Sequence, residues 1–118
     1  MKPSPYETLR RRPDFLAANS ALRAPMPGFV LLARPRGDGD PVRRLGITVT
    51  KKIGNAVVRN RVKRRFRALG RELMPAFGIA GADHVLIARA GGVESDFAKL
   101  RADLEKALRK LAQRAGEA

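Results

Sequence analysis

Apolar residues at helical spacing identify the longest element that the chain predicts. The apolar stripe of this element consists of Val58, Val62, Phe66, Leu69 and Leu73, which are separated by three or four residues. Asn55 is a good N-cap for the first turn, and Pro75 and Gly78 are expected to end the element. The pattern therefore predicts an α-helix over about residues 56–73.

Two further helices are indicated nearer the ends of the chain. Pro13 suits the first turn of a short N-terminal helix, because the N–H that it lacks would have no helical partner there. Asp14 suits the positive end of the same helix. In the C-terminal third, Ser95 is predicted to cap a final helix. Its apolar stripe consists of Phe97, Leu100, Leu104, Leu108 and Leu111.

Three short apolar segments have the pattern of β-strands. Residues 29–33 and 84–88 are nearly all apolar, and residues 45–50 alternate apolar and polar side chains. A turn at residues 35–41 separates the first segment from the second in sequence, so these two are predicted to form a hairpin. Residues 21–24 are a weaker strand candidate. The order helix, strands, helix, strand, helix predicts a small α+β or split βαβ sandwich in a single domain, residues 1–118, with helices covering one face of a sheet.

Positive charge adds a functional expectation to this fold. The chain has 25 Lys and Arg residues against 11 Asp and Glu, a formal net charge of +14. Eleven of the cations lie within residues 41–71, where no acidic residue occurs. Such an excess is typical of proteins that bind a polyanion. Nucleic acid is favoured over an anionic membrane, because no basic helix has a Trp- or Phe-rich apolar face.

The basic residues of the long helix lie opposite its apolar stripe or on the flanks. The polar set consists of Arg59, Asn60, Arg61, Lys63, Arg64, Arg65, Arg67 and Arg71. Like charges three or four residues apart repel by about a few tenths of a kcal/mol per pair, so the free protein loses stability by this arrangement. Lys51, Lys52 and Asn55 lead into the helix N-terminus, where backbone N–H groups and the helix dipole favour an anion. We predict that all these residues bind RNA, since the planar fork of Arg suits phosphates and bases; an ordinary solvated surface is the alternative.

Several kinds of chemistry are missing from the sequence. It has no cysteine, which excludes disulfides, thiolate zinc sites and Cys nucleophiles. His84, the single histidine, is expected to have a structural or an exposed role, and Asp38 and Asp40 are better explained by a turn than by a metal pair. We therefore expect no catalytic residue, metal site or cofactor in the protein itself. The sequence shows no signal-peptide pattern and no apolar run long enough to cross a bilayer, so a soluble, cytoplasmic protein is expected.

The basic segment also resembles a known family. Residues 51–67, KKIGNAVVRNRVKRRFR, closely resemble the RNR motif of the bacterial ribonuclease P protein. Residues 9–15 resemble that family's entry into its N-terminal helix, residues 45–50 the strand before the motif, and residues 82–89 its last strand. The resemblance covers nearly the whole chain, with the segments in the same order.

The resemblance implies a fold and a function. The fold is an α-β-β-β-α-β-α sandwich with an unusual left-handed βαβ crossover through the RNR helix. The function is that of the protein subunit of ribonuclease P, an endoribonuclease in which the RNA subunit performs the hydrolysis that frees the 5′ end of tRNA. The implied partners are the catalytic RNA and precursor tRNA, with magnesium in the RNA-containing holoenzyme; no membrane and no obligate protein partner are expected.

The resemblance further implies which residues contact each RNA. Those corresponding to general RNA contacts are Lys51, Lys52, Arg61, Arg64, Arg65 and Arg67. Those expected to line a cleft for the 5′ leader of the precursor are Phe15, Thr48 and Arg59, together with Val30 and Leu32 on the same sheet face. Asn19 and Leu32 stand where aromatic residues are common in the family. Because base stacking on aromatic rings adds affinity, weaker and less base-selective leader contacts are expected here.

Three other functions are left open by the residues alone. A ribosomal protein or assembly factor could use the same helix on ribosomal RNA, and it would gain no affinity from the 5′ leader of a precursor. An architectural DNA-binding protein would need an apolar wedge or a dimer surface, and the sequence shows neither. A standalone nuclease would need acid–base and metal-binding residues, which are missing.

Overall fold

Five strands and four helices make up the part of the chain that the structure describes, residues 6–117 of a computed structural model. The strands are β1 (Glu7–Thr8), β2 (Leu22–Pro25), β3 (Phe29–Pro35), β4 (Arg44–Thr48) and β5 (Ala82–Ala88). The helices are α1 (Arg12–Ala18), α2 (Ala56–Phe77), α3 (Gly91–Glu94) and α4 (Phe97–Glu117), and one 3-10 turn covers Lys51–Ile53. The order contains the expected α-β-β-β-α-β-α series, to which β1 and α3 are added.

The strands form one sheet in the order β1-β4-β5-β3-β2. β5 lies between β3 and β4, so the hairpin predicted from residues 29–33 and 45–50 is wrong. β3 instead pairs antiparallel with β2, with Leu22 opposite Ala33 and Pro25 opposite Val30. The strand at residues 21–24, which the sequence supported only weakly, is therefore real and is half of the hairpin. β5 takes the centre because its residues are almost all buried, whereas β4 is more exposed.

The long helix α2 connects two parallel neighbours in this sheet. β4 pairs parallel with β5, with Leu45 opposite His84 and Ile47 opposite Leu86. Parallel neighbours need a crossover connection, and α2 supplies it. This is the βαβ unit that the resemblance implies; the hand of the crossover stays a prediction.

The two faces of the sheet carry separate apolar clusters. Phe29, Leu31 and Ala33 of β3 pack in the larger cluster with α2 and α4. The alternate residues Val30 and Leu32 pack in the smaller cluster beneath α1. The prediction that helices cover only one face is therefore wrong, because α1 covers the other. A strand that is apolar on both faces needs cover on both sides.

Helix α2 matches its predicted stripe and exceeds its predicted length. Val62, Phe66, Leu69 and Leu73 are buried, and Val58 is half-buried. The Asn55 side chain accepts a hydrogen bond from the Val58 N–H at 3.0 Å, which confirms the N-cap. The helix continues through Pro75 to Phe77, and the Gly78 N–H closes it on the Met74 carbonyl oxygen at 2.9 Å. Pro75 is tolerated because it removes only one hydrogen bond near the helix end.

The start of the last helix differs by a residue from the prediction. α4 begins at Phe97, and its first turn is closed by the Leu100 N–H on the Asp96 carbonyl oxygen at 3.0 Å. The Ser95 hydroxyl donates instead to the carbonyl oxygen of Gly91. Ser95 therefore stabilises the C-terminal end of α3 and does not cap α4. Within residues 6–117, no helix is long and apolar enough to span a membrane.

Candidate nucleic-acid interface

The outer face of α2 is a surface of unpaired cations. Asn60, Arg61, Arg64, Arg67 and Arg71 are exposed along it, and Lys63 is half-buried at its side. None of these side chains has a hydrogen bond or ion pair with any other part of residues 6–117. An ordinary helix surface alternates charges at these spacings. The face therefore has a positive electrostatic potential that the protein itself does not neutralise and that a bound anion would neutralise.

The approach to α2 extends this surface. Lys51 and Lys52 are exposed in the 3-10 turn just before the helix, and both are unpaired within the described residues. Gly54 has φ 156°, and a Cβ there would lie 3.0 Å from the Val58 side chain, so glycine is needed for the close turn. The Asn55 oxygen is used by the cap, which leaves its amide NH2 to face an anion.

Arg65 differs from the other arginines of the motif. Its Nη1 donates to the carbonyl oxygen of Val93 at 3.2 Å, and its Nη2 donates to that of Ser95. The guanidinium also lies 5.9 Å from the ring centroid of Phe97. Arg65 thus ties α2 to α3 and to the residues that join α3 to α4. Its predicted RNA contact stays a prediction, while its contacts within the protein are structural.

Arg59 is also distinct, for the opposite reason. Its Nε is buried, yet among the described residues it has no hydrogen-bond partner. An unsatisfied buried donor costs about 1–3 kcal/mol, and more when the group is charged. An acceptor on a bound molecule, such as a phosphate oxygen, would remove that cost. Arg59 was predicted both as an RNA contact and as part of the leader cleft.

A groove between α1 and β4 brings together two of the predicted cleft residues. Phe15 and Thr48 line it with Arg10, Arg12 and Leu16, around a volume of about 340 Å³. The groove depends on Gly46, because a Cβ at that position would lie 2.5 Å from the Phe15 ring. The ring therefore lies directly against the β4 backbone. Arg59 is not among the residues that line this groove.

Arg10 and Arg12 are site residues that the sequence reasoning missed. Both are exposed at the entry to α1, and within residues 6–117 neither has a hydrogen bond or ion pair. The signal that could have found them is the run of three arginines at residues 10–12, immediately before the helix that carries Phe15. The acid-free stretch at residues 41–71 dominated the interpretation instead.

Val30 and Leu32 are placed below this surface. Their exposed fractions are 7% and 1%, and they pack with Leu9, Ala18 and Val85 beneath α1. Their side chains are closed to solvent in this structure, so they support the groove from below. Their assignment to the leader cleft stays a prediction, in which their contribution is to hold Phe15 in place.

The buried polar residues lie away from the basic face and belong to the scaffold. His84 is fully buried; its Nε2 accepts from the Ile79 N–H at 3.0 Å, so its Nδ1 carries the proton and donates to the Arg44 carbonyl oxygen at 3.0 Å. Burial lowers the pKa of His84 to about 4. Of the two expected roles, structural or exposed, the structural one is observed. No group of three His, Cys, Asp or Glu side chains in residues 6–117 comes together to hold a metal ion.

Comparison with known proteins identifies the family. A family model described as Ribonuclease P matches residues 4–112. The chain belongs to the ribonuclease P protein family. The recognition based on the RNR motif is thereby confirmed.

Relatives in the ribonuclease P protein family align along most of the chain. The ribonuclease P protein component of Erythrobacter litoralis is 60% identical over 110 residues, covering 92% of this chain and 88% of the relative. That of Caulobacter vibrioides is 44% identical over 107 residues, covering 91% of this chain and 72% of the relative. The family assignment therefore rests on nearly full-length similarity.

Solved structures of ribonuclease P proteins share the fold. The Staphylococcus aureus protein matches with a TM-score of 0.74 at 28% identity, covering 88% of this chain and 94% of that chain. The Thermotoga maritima protein matches with a TM-score of 0.74 at 32% identity, covering 87% and 96%. The predicted fold class, an α+β sandwich of the ribonuclease P protein family, is confirmed.

Proposed function

We propose that this chain is the protein subunit of a bacterial ribonuclease P holoenzyme. It binds the catalytic RNA and the 5′ leader of precursor tRNA, and it assists the endonucleolytic removal of the leader that gives the mature 5′ end. One observation carries the proposal: in a chain that belongs to this family, the cations along the RNR helix and its approach, apart from Arg65, have no partner among residues 6–117. These cations are Lys51, Lys52, Arg59, Arg61, Lys63, Arg64, Arg67 and Arg71.

The geometry supports a division of this surface between two RNAs. The outer face of α2 is long and convex, which suits the backbone of a large folded RNA. The groove at Phe15 and Thr48 is small, at about 340 Å³, and its described lining residues include one aromatic ring and the arginines Arg10 and Arg12. These features suit a single strand, whose bases stack and whose phosphates pair with arginine. We assign the ribozyme to the face and the leader to the groove.

We place the hydrolysis in the RNA subunit, with the magnesium ions that the holoenzyme requires. The two buried residues that could act as an acid or a base, His84 and Asp83, are engaged within the fold. His84 is buried and neutral. Asp83 is buried, and its oxygens accept from Arg36 and Arg44. The protein then contributes by binding both RNAs and by strengthening productive metal binding by the complex.

Leader recognition is proposed to be weakly base-selective. Asn19 is exposed at the C-terminal end of α1, and Leu32 is buried, so neither adds a stacking ring beside Phe15. Replacing Asn19 with Phe should raise the affinity of the complex for a precursor by up to about 1–3 kcal/mol. The measurement is the affinity of the complex for precursors that differ in their leader bases. If the unaltered protein distinguished these bases as strongly as an aromatic-rich relative does, the proposal would be contradicted.

The decisive test is cleavage of precursor tRNA at low magnesium by a bacterial ribonuclease P RNA, with and without the protein. We expect strong stimulation at the correct 5′ site. The double variant Arg61→Gln/Arg64→Gln should lose much of it, whereas the matched variant Lys106→Gln/Lys110→Gln removes two exposed cations of α4 and should retain it. No stimulation, with tight binding to ribosomal RNA, would favour the ribosomal alternative. Cleavage by the protein without RNA would overturn the placement of catalysis.

A further inference from the structure

A second concave site lies at the open edge of the sheet. The chain encloses about 250 Å³ there between β1, α1, β4 and α2. The residues that define its character are Tyr6, Thr8, Phe15, Ile47, Arg67 and Arg71. It shares only Phe15 with the groove described above, whose other lining residues lie toward the start of α1 and the end of β4.

The cavity exists because β1 is too short to cover β4. The two strands pair only at Glu7 opposite Arg44 and Thr8 opposite Leu45, and a last backbone hydrogen bond joins the Leu9 N–H to the Leu45 carbonyl oxygen at 2.9 Å. The chain then turns away into α1. Beyond Leu45, the edge of β4 has no neighbouring strand on this side within the described residues. Ile47 and the overlying side of α2 therefore remain accessible from the edge.

The lining combines aromatic rings with free positive charge. Phe15 and Tyr6 contribute rings, and Ile47 contributes an apolar wall. Arg67 and Arg71 are one helical turn apart, both are exposed, and neither has a hydrogen bond or ion pair within residues 6–117. No acidic residue lines the cavity. Its charge and composition therefore complement an anionic aromatic group.

We propose that this edge cavity holds one unstacked nucleobase of a bound RNA, with the adjoining phosphate on Arg67 and Arg71. Its volume is below the roughly 300–1,000 Å³ of ordinary small-molecule pockets, which suits a single base but not a duplex. Rings and an apolar wall stack a base irrespective of its identity, and arginines at the rim bind phosphate. The inference rests on the proposed RNA-binding function of the α2 face. The base comes either from the ribozyme or from the precursor leader.

The test fills the cavity without changing charge. Thr8 is an exposed lining residue, so Thr8→Trp places a bulky ring in the cavity. Ala102→Trp adds a similar ring at an exposed position of α4 and is the matched control. Affinity is measured for two RNAs: a bacterial ribonuclease P RNA bound by the protein alone, and a precursor tRNA bound by the assembled complex. Each is measured over a range of salt concentration.

We expect Thr8→Trp to weaken the binding of one RNA by about tenfold, the size of a lost base stack, with an unchanged salt slope. The RNA affected identifies the source of the base. Arg67→Gln should weaken the same RNA and lower its salt slope by about one, because a phosphate contact is lost. The inference is wrong if the unaltered protein binds both RNAs and the Thr8→Trp variant binds them with the same affinity as Ala102→Trp. The cavity then holds no base, and the proposed function is unaffected. If the unaltered protein binds neither RNA, both proposals fail.

A measurement on the unaltered protein covers the case in which Thr8→Trp does not fold. Methyl groups of Thr8, Leu45 and Ile47 line the cavity and are observable by NMR. A stacked base should shift them by its ring current when the protein binds the ribozyme RNA or a single-stranded leader RNA. The methyl groups of Val57, which are exposed on α2 outside the cavity, detect RNA binding to the α2 face. Shifts at Val57 alone would overturn the inference.

Discussion

The arginines of the α2 outer face and those around Asp83 show two uses of one residue type. On the face, Arg61, Arg64 and Arg67 are exposed and unpaired within the described residues. At the other site, Asp83 is fully buried, with Arg36 Nη1 at 2.9 Å and Arg44 Nε at 2.7 Å from its Oδ1. The charge of the α2 arginines is available to a binding partner, whereas the charge of Arg36 and Arg44 is neutralised by Asp83 within the protein. An excess of positive charge therefore indicates a binding surface only where the cations have no ion-pair partner within the protein.

The cluster at Asp83 holds the scaffold on which the basic face is built. Arg36 Nη2 also donates to the carbonyl oxygens of Asp40 and Val42 at 2.9 and 2.7 Å, which fixes the turn before β4. Arg44 lies 3.8 Å from Asp14 and so links β5 to α1 through one guanidinium. α1 carries Phe15, so the buried cluster also positions the leader groove. These arginines are engaged within the fold, whereas the arginines of the α2 outer face are the ones that we propose to contact RNA.

The largest effect should come from removing the buried carboxylate. Asp83→Asn removes the buried counter-charge that Arg36 and Arg44 share. Within the described residues, Arg36 then keeps only Asp38 and Arg44 only Asp14, carboxylates that are less buried than Asp83. Breaking a buried pair destabilises a protein by about 3–5 kcal/mol.

The control is Asp103→Asn, which removes a partly exposed partner of Lys99 on α4 and should cost about 0.5 kcal/mol or less. Urea unfolding of the two variants measures both values. Equal stabilities would show that the Asp83 cluster is not a structural anchor.

The next largest effect is a pH dependence of the free energy of unfolding, caused by His84. Its folded pKa, about 4, is below the ordinary value of 6.5, so the unfolded chain takes up a proton first as pH falls. The stability that His84 contributes is therefore fully present above about pH 6.5, and up to about 3 kcal/mol is lost on acidification to pH 4.

His84→Gln separates this contribution from that of the carboxylates. Asp38, whose pKa is lowered by a backbone hydrogen bond from Asp40 and by Arg36, also loses stabilising interactions in acid. The free energy of unfolding is measured from pH 7 to pH 4 for both proteins. We expect a shallower decline in the variant, and parallel curves would contradict the assignment of a neutral, buried His84.

Arg65 tests the boundary between the two sets of arginines. Arg65→Gln removes hydrogen bonds to the Val93 and Ser95 carbonyl oxygens and the contact with Phe97. We expect a loss of about 2 kcal/mol in the free energy of unfolding, since each charged hydrogen bond contributes on that order. The salt slope of RNA binding should be nearly unchanged. A slope lower by one, with unaltered stability, would place Arg65 in the RNA-binding set.

The smallest effect is expected for a single arginine of the face. Arg64→Gln should weaken RNA binding about fivefold, or about 1 kcal/mol, and lower the salt slope by about one. It should also raise the stability of the free protein by about a few tenths of a kcal/mol, because like-charge repulsion is relieved. Lys110→Gln, an exposed cation of α4, should leave the salt slope unchanged. Identical slopes for both variants would make Arg64 a bystander.

The parts of the fold that local interactions specify were predictable from the sequence. The stripe of α2 and its Asn55 cap were found correctly, since helical spacing and capping involve residues within four positions of each other. The strand pairing was not. Residues 29–33 and 45–50 are adjacent strands in sequence, but the strand between them, β5, comes more than thirty residues later. Local patterns cannot rank partners at that separation.

The candidate site divides in the same way. The basic face of α2 followed from the helical positions of residues 59–71, and the cleft pairing of Phe15 with Thr48 came from the family resemblance. The groove residues Arg10 and Arg12 were missed, because their significance depends on where α1 lies against β4. The edge cavity was equally invisible, since it exists only where a two-residue β1 ends beside α2.

The sequence by itself determined three of the helices, three of the strands, the basic face of α2 and the family. Each of these depends on residue type at fixed spacing along one chain segment, which short-range sterics and hydrogen bonding translate directly into structure. Only the tertiary structure decided which arginines are free. Arg64 and Arg65 are neighbours in sequence, but one faces solvent and the other meets the carbonyl oxygens of a segment 27 to 30 residues away. Whether a charge is available to a partner depends on long-range packing, because a guanidinium is neutralised by whatever group the fold brings within hydrogen-bonding distance.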